Sequence, residues 1–178
     1  EENPFLADFY RDMRRFAFQT QVFFLLSRYQ QQMDMMQPDL FHPKIVSDYI
    51  FQKDRIFANL NLSDNELKLY ERLFPLLERD IPSPDLIVYL QASHGVLMER
   101  IARRGREFER AMPPDYIAAL NEAYNYFFFH YTASPLLIVN TNDSDFLNNP
   151  GALADLRKRI ENHEGGTVYY TPIGGAGA

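Results

Sequence analysis

The chain has 178 residues, 46% of them apolar and 24% charged, enough to bury one sizeable core and most simply a single domain. A net charge of -6 argues against non-specific nucleic-acid binding, and no stretch is long or apolar enough to span a bilayer or to resemble a signal peptide, so a soluble cytoplasmic protein is expected. With no cysteine there is neither a disulfide framework nor a thiolate site, and His42, His94, His130 and His163 lack metal-ligand spacing.

In chain order, Asp12 caps a long helix on which apolar residues occur almost all round, at Phe16, Phe18, Val22, Phe23, Leu25, Leu26 and Tyr29; this helix is expected to be largely buried. Gln21 and Arg28 are seven positions apart and face the same way to within about 20°, and Tyr10 joins them if the helix runs unbroken past Asp12. A buried glutamine beside an arginine needs partners. A nucleobase edge would supply them, and so would neighbouring backbone or an aspartate. The run Gln30-Gln31-Gln32 with Met33, Met35 and Met36 reads as a frayed helix end.

Lys44 to Ser47 reads as a strand closed by Asp48, a position from which a carboxylate can hold Mg2+ or cap a helix. Asp54 and Phe57 follow, on their own an exposed acid and a core aromatic. Ser63-Asp64-Asn65-Glu66 is a capping box, and Pro82-Ser83-Pro84 breaks the chain before a second strand, Leu86 to Leu90. Pro114 opens a helix to about Ala133, and Leu136 to Val139 is a third strand. The tail from Gly165 holds a possible short strand, Thr167 to Tyr170, before a flexible glycine-rich end. Apolar strands separated by helices make an α/β protein with parallel pairing.

Between the second strand and Pro114 lies Arg100-Ile101-Ala102-Arg103-Arg104-Gly105-Arg106-Glu107-Phe108-Glu109. Arg100 and Arg104 are one helical turn apart on one face, Gly105 frees the backbone, and Arg106 can swing toward the same point. A guanidinium grips phosphoryl oxygens with two parallel bonds, so the run suits phosphate; a solvated helix end complementing the dipole is the plainer alternative.

In order and spacing these segments resemble the deoxynucleoside kinases over nearly the whole chain. The matching residues are Glu2-Asn3-Pro4-Phe5-Leu6, Phe9-Tyr10, Gln21 with Leu26-Ser27-Arg28, and Val46-Ser47-Asp48-Tyr49 leading to Asp54-Arg55-Ile56-Phe57-Ala58. They continue with Pro84-Asp85-Leu86-Ile87-Val88-Tyr89-Leu90 and with Arg100, Arg104, Gly105, Arg106 and Glu109. The resemblance implies a P-loop kinase-like three-layer fold, a parallel sheet flanked by helices, over residues 1–164, with 165–178 a C-terminal tail. It implies transfer of the γ-phosphoryl of ATP, with Mg2+, to the 5'-hydroxyl of a deoxynucleoside in nucleotide salvage. Tyr49, where the animal enzymes have arginine, resembles the bacterial branch that takes deoxyadenosine or deoxyguanosine.

By the same resemblance, Gln21, Arg28 and Asp54 read the base and Phe57 packs near its ring, while Tyr10 and Glu109 hold the 3'-hydroxyl. Arg100, Arg104 and Arg106 form a lid on the triphosphate, and Asp48 stands at the metal and 5'-hydroxyl end. The loop Asn140-Thr141-Asn142-Asp143 lies where the family contacts the adenine of ATP. A homodimer through the aromatic helices, with Phe127, Phe128 and Phe129 as candidates, is also implied.

The family's first strands, its Gly-Lys-Ser/Thr phosphate loop and its glutamate base precede the position of Glu1, so an upstream segment is expected, and these 178 residues alone are expected to phosphorylate nothing. A non-catalytic scaffold subunit of the same fold is a second reading. A nucleoside-monophosphate kinase such as a thymidylate kinase is a third, although it needs an extra basic contact for the acceptor phosphate and no clear candidate stands out near Tyr10 or Gln21.

Overall fold

The computed structural model describes residues 3–36, 44–106 and 112–172. They divide into two compact units, one built from the residues up to Pro82 together with Gly105–Ala123, the other from Ser83–Arg104 together with the residues from Tyr124 onward.

The first unit is helical. Asn3 starts it: its side-chain oxygen accepts from the Phe5 amide at 2.9 Å and its amide donates to the Thr20 carbonyl at 3.1 Å, pinning the chain entry onto the second helix. Helix α1 (Leu6–Arg11) is short because Asp12 leaves the helical region and caps α2 (Met13–Met35), accepting from the Arg15 amide. The helix therefore does not run unbroken past Asp12, and Tyr10 lies on α1. Nor is α2 largely buried. It hides Ala17, Thr20, Gln21 and Leu25, whereas Leu26 is 52% exposed, because only one side of the helix meets the core. The Gln/Met run stays helical through Met35 instead of fraying.

A 3-10 turn (Phe51–Lys53) leads into α3 (Asp54–Asn61), and α4 (Asp64–Glu78) follows. The Ser63 box is formed, with Glu66 accepting from the Ser63 amide at 2.9 Å and hydroxyl at 2.6 Å. Leu25, Phe51, Ala58, Tyr70 and Phe74 make the core, Phe51 and Phe74 stacking at 5.0 Å between ring centres.

The expected strand Lys44 to Ser47 is absent. A strand exists by its ladder of backbone bonds, and no described strand pairs with this segment, whose Ile45 and Val46 are 63% and 97% exposed.

The second unit is an α/β sandwich. Its sheet has the order β1 (Ile87–Gln91), β2 (Leu136–Asn140), β3 (Thr167–Tyr170), all parallel, with Tyr89 beside Ile138 and Ile138 beside Tyr169. On one face Leu137, Val139 and Tyr170 pack with Leu156 of α7 (Pro150–Glu161). On the other, Phe128 from the end of α6 (Pro114–Phe129) stacks on Tyr89 at 4.2 Å. Helices on both faces of a parallel sheet give the expected three layers. Pro114 opens α6 as expected, but the helix stops at Phe129, short of Ala133, and β1 runs one residue later than its apolar pattern suggested.

Candidate functional site: a buried carboxylate and an arginine-rich helix end

Asp54 begins α3 and is 3% exposed, an unusual burial for an acid with no ion pair at contact distance among the described residues. Its neighbours explain how it is tolerated. One carboxylate oxygen, Oδ2, accepts from the Tyr70 hydroxyl at 2.8 Å and from Gln21 Nε2 at 2.8 Å; the other, Oδ1, accepts from the Tyr49 hydroxyl at 3.2 Å. Gln21 Nε2 also donates to the Asp54 carbonyl at 3.1 Å. Four elements or segments thus meet at one carboxyl: α2, the segment before the 3-10 turn, α3 and α4.

Burial, the largest influence, holds the Asp54 carboxyl above its usual range, against the bonds from Tyr70, Gln21 and Tyr49 and the charge of Arg28. The same burial, together with the Asp54 charge, pushes the Tyr70 hydroxyl far up, so it stays a donor. Beside the cluster the Arg28 guanidinium lies 4.5 Å from the centre of the Tyr49 ring and donates to Gln31 Oε1 at 2.7 Å. Lys53 Nζ stands 5.6 Å from the same ring. Its pKa is lowered by burial first and by Arg28 next, with Asp48 and Asp54 opposing.

Gln21, Arg28 and Asp54, singled out as one reading site, are therefore brought together. Asp54 is no exposed acid, and Gln21 is satisfied by an aspartate, one of the partners weighed from the sequence. Phe57 is half-buried one turn further along α3, and Tyr10 packs edge-on against Phe9 at 5.4 Å. Asp48 is exposed at a bend, not at a strand end, and its charge acts on Lys53. Glu109 lies outside the described residues. Sequence reasoning missed Tyr70 and Lys53 and gave Tyr49 no contact; the one local signal was that Lys53 precedes Asp54.

In the second unit the arginine run ends α5 (His94–Arg104), and Gly105 follows with φ of 66°, the left-handed turn that suits glycine. Arg104 and Arg106 are exposed. Arg100 is half-buried and already engaged: Nη1 donates to Thr141 Oγ1 at 2.9 Å and Nη2 to the Thr141 carbonyl at 2.6 Å. Thr141 is 2% exposed and is tied in turn to the Gln91 carbonyl by its amide at 2.8 Å and its hydroxyl at 2.9 Å. Asn142 Oδ1 accepts from the Ser93 amide at 2.7 Å, so the loop after β2 and the residues before α5 are joined twice.

Among the described residues no group of three or more His, Asp or Glu converges on a point, and no helix is long and apolar enough to cross a membrane. A lone Asp48 is still compatible with Mg2+, which takes one or two carboxylates and fills its shell with phosphate oxygens and water.

Comparison with known proteins gives the family. The family model described as deoxynucleoside kinase matches residues 1–163. The deoxyguanosine kinase of Bacillus subtilis (strain 168) is 37% identical over 149 residues, covering 82% of this chain and 71% of that protein. The deoxyadenosine kinase of Lactobacillus acidophilus is 30% identical over 175 residues, covering 90% and 80% respectively. Among solved structures, deoxyadenosine kinase from M. mycoides with bound dATP superposes with a TM-score of 0.75 at 21% identity, over 90% of this chain and 82% of that one.

Proposed function

The chain belongs to the deoxynucleoside kinase family, and on that premise we propose that the protein moves the γ-phosphoryl of ATP onto the 5'-hydroxyl of a purine deoxynucleoside in nucleotide salvage. The observation that carries the acceptor half is the Asp54 cluster: a carboxylate, an amide and a guanidinium gathered from α2 and α3 beside one tyrosine ring, a set able to read a planar heterocycle by its polar edge. The most similar relatives cited, a deoxyguanosine and a deoxyadenosine kinase, both have purine names, which favours a purine here.

The roles are those that the family resemblance implies. Gln21, Arg28 and Asp54 meet the base edge and Phe57 its ring, while Tyr10 and Glu109 hold the 3'-hydroxyl. Arg104 and Arg106, exposed and charged at a glycine turn, neutralise the charge that spreads over the transferred phosphoryl. Arg100 keeps α5 against Thr141 and has further N–H groups to offer the triphosphate. Mg2+ would be held by Asp48 with phosphate oxygens and water, and would supply charge neutralisation between the phosphates.

Self-association through α6 is proposed on Phe129, named from the sequence and 73% exposed, together with Tyr126, 70% exposed; of the other two named candidates Phe127 is half-buried and Phe128 is core. The cytoplasm is the proposed location.

The test is transfer from labelled ATP in the presence of Mg2+, using the complete enzyme and the four deoxynucleosides one at a time. Purine monophosphates as the leading products are expected. Transfer to a nucleoside monophosphate instead would move the protein to the other kinase class. Absence of both transfer and any thermal shift with nucleosides would favour a scaffold.

A further inference from the structure

The face of the sheet that carries Phe128 of α6 holds a pocket of about 460 Å3, lined wholly from within the second unit. Sites for small molecules run from roughly 300 to 1,000 Å3. Its floor is buried and aromatic, with Tyr89 and Phe128 stacked at 4.2 Å. Its rim is aromatic and open: Tyr126, Phe129 and Tyr169 are 70%, 73% and 65% exposed. Among the described residues no other tyrosine or phenylalanine is exposed, so the apolar rings this chain leaves in water are gathered around one cavity.

Two amides supply polar groups. Gln91 Nε2 lies 2.7 Å from Asn125 Oδ1, which also accepts from the Tyr89 hydroxyl at 2.9 Å. Gln91 Oε1 and Asn125 Nδ2 have no partner among the described residues, and neither is sealed from solvent, because the one fully buried side-chain polar atom lacking a partner there is the Thr20 hydroxyl. Turning both amides over exchanges their roles and leaves the sum unchanged: one amide nitrogen and one amide oxygen are unspent. Among the described residues no lysine, arginine, aspartate or glutamate lines the pocket, so a charge seated in it would stay uncompensated.

We propose that this pocket binds an uncharged, flat heteroaromatic ring whose edge carries an N–H donor beside a ring acceptor, as nucleobases do. The ring lies against the rim aromatics, and its edge meets Gln91 and Asn125. A ring with acceptors alone leaves the unspent amide oxygen dry and unpaired. No residue of the Asp54 cluster takes part, so the inference does not rest on the nucleoside reading above.

The test is titration of the full chain, followed by NMR of the protein, with 9-methyladenine and 9-methylpurine. Neither has a sugar, and the second has the same skeleton with no N–H on any edge. 9-Methyladenine should bind roughly tenfold more tightly, the difference one unpaired acceptor makes. Equal affinities, or no binding of either probe, would overturn the proposal.

Two variants locate the binding. Asn125→Leu keeps the side chain's bulk and removes its polar groups; once checked for a cooperative melt, it should bring the two probes to within about threefold of each other. Tyr169→Ala removes an exposed ring and should weaken 9-methyladenine about five- to 100-fold, the scale of one lost stacking partner. Unchanged affinity in Tyr169→Ala would put the probe elsewhere and overturn the proposal while leaving the nucleoside reading standing. Self-association through α6 would draw on the same Tyr126 and Phe129, so the titration is run at two protein concentrations. Affinity that falls as the particle mass doubles would show a second copy filling the pocket, and would overturn the proposal as well.

Discussion

The Asp54 cluster and the C-terminal end of α5 are both built from charged residues, yet they are organised in opposite ways. Asp54 and Gln21 are 3% exposed and Tyr70 0%, and the Gln21 amide nitrogen and the Tyr70 hydroxyl both donate to Asp54. Arg104 and Arg106 are exposed, beside a glycine in the left-handed region. A group that must discriminate between heterocycles gains from being fixed and dry, because an unpaired edge then carries its full desolvation cost. A group that must follow charge developing on a phosphoryl gains from reach and from a cation that never loses its proton. Arg100 is the intermediate case, charged like Arg104 and Arg106 but half-buried and bonded to Thr141.

The largest expected effect breaks the comparison on the arginine side. Arg104→Ala in the complete enzyme should lower turnover about 10²- to 10³-fold, the scale of removing one transition-state donor, with nucleoside affinity nearly intact. Parallel loss of binding and turnover in steady-state and calorimetric measurements would place this arginine in the nucleoside site and erase the distinction. On the other side, Asp54→Ala strands the Tyr70 hydroxyl and one hydrogen of Gln21. It should cost roughly 2–3 kcal/mol in urea unfolding together with most nucleoside binding.

The same residue gives a pH signature. Folding raises the Asp54 carboxyl, so the native state holds this proton more tightly than the unfolded chain does. The stability contributed is complete below the ordinary carboxylate range and is lost as pH climbs through the raised value. Relative to Asp54→Asn, wild type should therefore weaken as pH climbs above the ordinary carboxylate range. A difference flat with pH would mean the carboxyl is not penalised by its burial.

These contrasts were unequally legible beforehand. The arginine end was readable because its signals are local: spacing of one turn, then a glycine whose φ proves positive. The Ser63 box and strands β1 and β2 were readable for the same reason, lying within a residue or two of where capping and apolar runs put them. Gln21 and Arg28 were paired by their spacing and Asp54 joined them through family resemblance, but the burial of Asp54 was not legible, since Tyr70 comes from 16 residues beyond it on a helix with nothing local to mark it. Ile45 and Val46 misled, because an apolar pair states a preference for a neighbour without supplying one. Asp12 misled in the other direction: capping α2 is also what ends α1, so Tyr10 could not share the face of Gln21.

The smallest expected effects sharpen the place of Arg100 between the two regions. Its two bonds to Thr141 tie α5 to the loop after β2, and neither partner needs a ligand for this. Arg100→Ala should thus cost roughly 1–2 kcal/mol of stability. Thr141→Val separates the two parts of the Arg100 contact, because it removes the hydroxyl that accepts from Nη1 and leaves the carbonyl that accepts from Nη2. It should lose about 1 kcal/mol, and Arg100→Ala made in that background should lose less than it does alone, by an amount a double-mutant cycle reads directly. Full additivity would mean the two side chains stabilise the unit independently, and Arg100 would then belong with Arg104 as a residue held ready for phosphate.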